Sequence, residues 1–127
     1  MAQSAKWLRQ FEKNFKIPFF VEIKSMPNSA PIGIFDSGIG GLTLAHAITE
    51  LMPQENIIYF GDTAHLPYGD KSATAIQAYS VKICNLLLEK NCKLILIACN
   101  SASAAAYELV KAYVGTKAKV VNVIDPV

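Results

Sequence analysis

Cysteine and histidine are scarce in this sequence, and neither is arranged in pairs. Cys84, Cys92 and Cys99 are an odd number without paired spacing. That excludes a disulfide framework and fits a reducing compartment, here expected to be the cytoplasm. The two histidines, His46 and His65, stand far apart and show no metal-ligand spacing. Basic clusters are missing as well: 12 Lys and Arg against 10 Asp and Glu leave a net charge of +2, which gives no electrostatic footprint for nucleic acid. No apolar run approaches the roughly 20 residues that cross a bilayer, so no membrane partner is expected. The apolar segment Ile17–Ile23 is short, broken by Pro18 and Glu22, and followed by no small-residue cleavage site, unlike a secretory leader.

What is present is mostly apolar. With 52% hydrophobic and 17% charged residues over 127 positions, the chain is globular and long enough for one domain with a real core. The apolar share also suggests that some surface is meant to be covered by a partner or a second domain. The most informative stretch is Lys93 to Ser103. Leu94 to Ala98 form a short, uniformly apolar run, the pattern of a parallel strand buried on both sides. It leads directly into Cys99, Asn100 and Ser101, and Ala102 to Tyr113 reads as a helix. A cysteine there sits at a strand's C-terminal end and just before a helix N-terminus, where ligands collect in open α/β sheets and where N–H groups and the helix dipole favour a thiolate. A free cysteine is more often a small core residue, but Asn100 and Ser101 do not belong in an apolar core.

Residues 1–30 read as an extension and linker, and residues 31–127 as an α/β domain. Trp7, Leu8, Phe11 and Phe15 are spaced for a short amphipathic helix, Ile17–Ile23 for a brief strand, and residues 26–31 for a turn-rich linker. Met26 is itself a candidate start. From Pro31 the pattern is regular. Ile32–Asp36 is a strand, Ser37–Gly41 a glycine loop, and Gly41–Met52 a helix with Leu44, Ile48 and Leu51 on one face. Ile57–Gly61 is the next strand, and a long loop runs to Lys71. Ser72 caps a helix over residues 73–90 with the stripe Ile76, Tyr79, Ile83, Leu86 and Leu87. The third helix, a turn at Gly115 and a last strand over residues 120–124 complete the pattern. Strands alternating with helices predict a parallel, flavodoxin-like sheet. Cys84 and Cys92 fall at structural positions. The sequence ends at Asp125-Pro-Val127 directly after a strand, an abrupt end.

Asp36 and Cys99 each end a parallel strand, so both face one cleft if their strands are neighbours. There a carboxylate could orient a thiol or share its proton. Equally, Asp36 could simply bond the backbone amides of the following loop, as Asp does after strands. The loop Asp36–Gly41 does not match the dinucleotide pattern G-x-G-x-x-G, but a glycine loop at a helix N-terminus suits an anion. Pro67-Tyr68-Gly69 falls on the same edge, where a third wall of the cleft is needed. His65 reads as a solvated loop histidine.

Three stretches together, Ile34–Thr43, Tyr59–Gly69 and Ile97–Ser103, resemble the glutamate racemase family in order and spacing. The resemblance runs from about Pro31 to Ile124. It implies one of two pseudo-symmetric α/β domains of a cofactor-independent, metal-free racemase that supplies D-glutamate for peptidoglycan and so supports cell shape. The family places two cysteines on opposite sides of the substrate α-carbon. By position Cys99 would be the first, with Asp36 as its catalytic neighbour. Asp36, Ser37, Tyr68, Gly69, Asn100 and Ser101 would hold glutamate. Ser101 stands where the family usually has Thr, and the hydroxyl survives. The family's chain is about twice this length, so the second domain, with its cysteine and a Thr-His pair, is an expected missing partner; a homo-oligomer is left open. The alternatives are a related racemase, such as one acting on aspartate, and a module that holds a small anion without turnover. The Asp-Ser-Gly and Pro-Tyr-Gly motifs argue against the aspartate enzyme.

Overall fold

Five short strands whose residues alternate between two apolar layers make the centre of the molecule. The computed structural model describes residues 19–24, 29–65 and 67–124. The expected helix over residues 6–16, the candidate start at Met26 and the last three residues lie outside them. The strands are β1 (Phe19–Ile23), β2 (Ile32–Asp36), β3 (Ile57–Gly61), β4 (Leu94–Ile97) and β5 (Lys119–Asn122), and the helices α1 (Leu42–Leu51), α2 (Ala73–Glu89) and α3 (Asn100–Val114). The sheet order is β1-β3-β2-β4-β5. The pairs β3–β2, β2–β4 and β4–β5 are parallel, and β1 adds an antiparallel edge to β3. The four parallel strands therefore follow the flavodoxin-like order. The chain leaves β2 in one direction and β4 in the other, so the crevice between their C-terminal ends is the topological switch point.

Side chains at successive strand positions point to opposite faces. One face sends Ile32, Ile34, Ile57 and Tyr59 toward α1, which packs against them through Leu42, Ala45 and Ile48. The other sends Phe35, Ile58, Phe60, Ile95, Ile97 and Val120 against Ile76, Ile83 and Leu87 of α2 and Ala102, Ala106, Val110 and Val114 of α3. β2 and β3 are buried at every position. In β4, Ile95 and Ile97 are buried but Leu94 and Leu96 only half so. This departs from the expectation of a strand dry on both faces. The reason is coverage: two helices lie on one side of the sheet and α1 alone on the other.

Helix limits shift slightly from the sequence pattern. Ser72 caps α2 as expected, accepting the Ala75 N–H at 3.1 Å, a cap worth about 1 kcal/mol. The apolar face of α1 is Leu42–Ala45–Ile48, not Leu44–Ile48–Leu51, and Leu51 is 80% exposed. Two apolar stripes share Ile48, and the small Ala45 side chain lets the helix approach the sheet along one of them. α3 begins at Asn100, two residues earlier than the apolar pattern alone indicated, so Cys99 is itself the N-cap.

Glycine is required where the loop after β2 meets the end of β3. A Cβ on Gly61 would lie 2.0 Å from the Gly38 carbonyl oxygen, a backbone atom that cannot swing aside. Gly61→Ala should destabilise the chain by about 1–3 kcal/mol, the usual cost of overpacking. Gly40→Ala, whose Cβ would meet nothing within 4 Å, should stay within about 0.5 kcal/mol. Urea unfolding of the two variants checks this, and equal midpoints would contradict the close approach.

Candidate active site

The C-terminal ends of β2, β3 and β4 lie side by side. Asp36 pairs with Gly61 across β2–β3, and Phe35 with Ile97 across β2–β4. The ladder continues one step beyond each strand, with the Ala98 N–H donating to the Phe35 carbonyl at 2.7 Å and the Asp62 N–H to the Asp36 carbonyl at 2.8 Å. The neighbour condition placed on Asp36 and Cys99 is thus met.

Asp36 is buried and heavily bonded. Its Oδ1 accepts the Ser37 N–H at 2.8 Å. Its Oδ2 accepts the Gly41 N–H at 2.5 Å and the Tyr59 hydroxyl at 2.6 Å. The Tyr59 hydroxyl lies 3.1 Å from the Gly38 carbonyl as well. The carboxylate therefore ties the glycine loop to the first turn of α1. A Cβ on Gly41 would fall 2.6 Å from Oδ2 and 3.3 Å from the Ala98 Cβ, so the loop sits between the ends of β2 and β4. Asp36 makes no hydrogen bond to Cys99; the backbone-bonding alternative is the one realised. Three of about four acceptor positions on the carboxylate are used, and one remains. Burial first, then the bond to Asp36 and its charge, push the Tyr59 phenol far up, so Tyr59 is a permanent neutral donor.

Cys99 is 7% exposed, and its sulfur accepts the Ala102 N–H at 3.4 Å. A thiol sulfur is a weak cap, and the first turn of a helix carries N–H groups without intrahelical partners. Asn100 is exposed and Ser101 half-buried in the first turn of α3, Ser37 is half-buried in the glycine loop, and Gly69 is exposed in a 3-10 turn, Tyr68–Asp70. The Tyr68 ring is buried, with its hydroxyl donating to Asp62 Oδ2 at 2.5 Å. Burial, then the Asp62 bond and charge, push that phenol far up as well, and Cys99 also acts on it electrostatically. The expected site residues therefore share one sheet edge, around the β2–β4 crevice.

Sequence reasoning overlooked Tyr59, Asp62 and the bond Asp62 makes to His65, whose side chain is 42% exposed in the loop as expected. Tyr59 passes for an ordinary strand aromatic, and only its register opposite Ile34 places its hydroxyl at Asp36. Asp62 is buried, and His65 Nδ1 lies 2.9 Å from both its oxygens. The spacing Asp62-x-x-His65 in a tight turn was the available signal. Among the described residues no group of three or more His, Cys, Asp or Glu could hold a metal ion, and no helix is long and apolar enough to cross a membrane.

An open α/β domain with a cysteine capping a helix at its switch point defines a class of small-molecule site, and known proteins narrow it. No family model matches the chain. The glutamate racemase of Syntrophus aciditrophicus (strain SB) is 48% identical over 102 residues, 80% of this chain and 37% of its own length. That of Leifsonia xyli is 55% identical over 76 residues, 60% of this chain and 28% of its own length. Among solved structures, glutamate racemase from Aquifex pyrophilus superposes with a TM-score of 0.70 at 44% identity, covering 74% of this chain and 36% of that one. The Francisella tularensis enzyme in complex with D-glutamate gives 0.70 at 43% identity, covering 73% and 35%. In sequence and fold, this chain is a relative of the glutamate racemases, matched over about a third of their length.

The other two cysteines are not part of the edge. Cys84 is enclosed in α2, and Cys92 precedes β4 at the opposite end of the sheet; burial pushes each thiol up to about 12. A thiol whose folded value is raised keeps its proton after the unfolded chain has lost it, so stability falls as pH rises from about 9 to about 12. Below pH 9 a thiol reagent should modify Cys99 before Cys84 or Cys92 in the folded chain, and all three after unfolding. Mass spectrometry showing Cys84 or Cys92 modified first would contradict the burial pattern.

Proposed function

We propose that this chain carries one proton-transfer face of a glutamate racemase, with Cys99 as the base and acid on that face. The observation that carries this reading is the convergence of Cys99, Asp36 and the Tyr68–Gly69 turn on one switch-point edge, in a chain whose relatives are glutamate racemases. The racemase-like domain is taken as residues 31–127, with β1 added at its edge. Glutamate is the substrate, no cofactor takes part, and the product D-glutamate serves peptidoglycan synthesis in the cytoplasm.

Cys99, at the N-terminus of α3, removes the α-proton as a thiolate. The carbanion next to the α-carboxylate is stabilised by oriented neutral donors from Ser37, Asn100, Ser101 and the Tyr68–Gly69 backbone. The free acceptor position of Asp36 suits the substrate ammonium. Inversion needs an acid on the opposite face. Cys84 and Cys92 are enclosed in the core, so that acid comes from the stretch of racemase sequence this chain does not match. The same stretch closes the crevice against water, which would otherwise weaken every electrostatic contact in it.

The test follows L- and D-glutamate in heavy water by NMR and circular dichroism. The 127-residue chain alone should bind glutamate without racemising it at a useful rate. Racemisation should appear when the remaining stretch of a related racemase is added. Cys99→Ser should abolish this recovered activity while leaving the melting temperature intact, because Ser is a favoured N-cap but a poor base near neutral pH. Substantial racemisation by the chain alone would overturn the two-part site. Saturable binding with no α-deuteration in any mixture would replace the reading with a binding module.

A further inference from the structure

The loop after β3 holds a second carboxylate device that the proposed chemistry does not use. Asp62 is 4% exposed and packs immediately beyond the strand. One oxygen takes the Tyr68 hydroxyl, and His65 Nδ1 bridges both. With Asp62 ionised, that ring nitrogen must be the donor. The imidazole stacks on the Tyr79 ring of α2 at 3.9 Å between centroids and 17° between planes. Tyr79 in turn lies 5.8 Å from the Tyr68 ring, which meets Phe35 of β2 edge-on at 6.2 Å. The four side chains close a circuit from the end of β3, through the loop to α2, and back to the ring beneath the Tyr68–Gly69 turn.

We infer that Asp62 and His65 are positioning residues: together they fix the Tyr68–Gly69 turn at the sheet edge, and His65 couples that turn to pH. The inference rests on the glutamate reading for its consequence, since Tyr68 and Gly69 are the turn assigned there to the substrate. Because its hydroxyl is committed to Asp62, Tyr68 cannot donate from that hydroxyl to a ligand without breaking the circuit. What the turn offers is backbone, and backbone donors act only where they are held in place. Gly69 borders open space, where an added Cβ would meet nothing within 4 Å.

Proton gain by His65 turns a neutral donor into a charged one and strengthens its hold on Asp62. The competing groups around the imidazole are Lys82 and Glu89 of α2, which line the same cleft of about 420 Å³ with Phe60, Ile83 and Leu86. Lys82 and Glu89 are both exposed, so solvent screens them more than the buried carboxylate. Cys99 faces the circuit from the Tyr68 side.

The 127-residue chain is labelled with 3-fluorotyrosine, and the Tyr68 fluorine signal is assigned by its loss in Tyr68→Phe. The signal should shift with pH at the midpoint of the His65 imidazole, read independently from its own ring resonances. Asp62→Asn should abolish that shift and weaken glutamate binding about tenfold, as for a lost hydrogen bond to a charged group. His65→Arg supplies a donor whose charge does not titrate; it should make the Tyr68 signal independent of pH while keeping glutamate affinity within about twofold. Should Asp62→Asn fail to fold, His65→Arg still decides the matter. A Tyr68 signal that ignores the His65 titration, or that titrates unchanged in His65→Arg, overturns the inference. Coupling seen in a chain that takes up no glutamate would uphold the positioning circuit and overturn the glutamate reading alone.

Discussion

The Asp36 carboxylate is the constraint from which the rest of the edge follows. It ends β2, binds the first amide of the glycine loop, reaches the Gly41 amide at the start of α1, and receives the Tyr59 hydroxyl from β3. Those three hydrogen bonds fix where the loop runs, and the loop sits between the ends of β2 and β4. A buried carboxylate is tolerable only when hydrogen bonds replace its lost hydration. Here the replacements come from two backbone amides and a phenol, none of which brings a compensating positive charge. The geometry of the carboxylate at the mouth of the crevice is therefore locked.

The topology singles out the crevice between β2 and β4. α1 lies on one face of the sheet and α2 and α3 on the other, so the chain diverges at the β2–β4 boundary and leaves a gap above it. The helix N-terminus of α3 and the glycine loop flank that gap, and both present backbone N–H groups. Deeper in the core, the opposite requirement holds: Cys84 and Cys92 are kept neutral by burial. One residue type thus serves as inert packing at one end of the sheet and as a polarised cap at the other.

Much of this was legible in the sequence. Alternating apolar runs gave the parallel sheet, and Ser72 marked the start of α2. Asp36, Tyr68 and Cys99 could be placed on one edge because parallel strands share it. What the sequence could not show came from register and from rotation about helix axes. Tyr59 reaches Asp36 only because it sits opposite Ile34, and apolar spacing did not settle which of two stripes α1 would bury. The start of α3 was misplaced because Asn100 and Ser101 look like loop residues, although polar side chains are at home in a first helical turn. The bond from His65 to Asp62 was missed because Asp62, read as a loop residue, gives no outward sign of being buried.

The same device occurs twice along the edge: Asp36 with Tyr59 at the end of β2, and Asp62 with Tyr68 just beyond β3. In each pair the phenol stays neutral, held so by burial and by the carboxylate it serves. Among the side chains named around this edge, His65 of the loop and Lys82 of α2 can carry positive charge. A substrate with two carboxylates would ordinarily invite Arg or Lys, which bind the ground state as strongly as any later species. Catalysis gains only from contacts that strengthen as charge develops in the transition state. In the proposed reaction, backbone amides held in place by the two Asp–Tyr pairs would hold a carboxylate moderately and respond to a growing negative charge beside the α-carbon. On the proposed reading, an edge whose described donors near Cys99 are neutral suits a developing carbanion better than tight retention of glutamate.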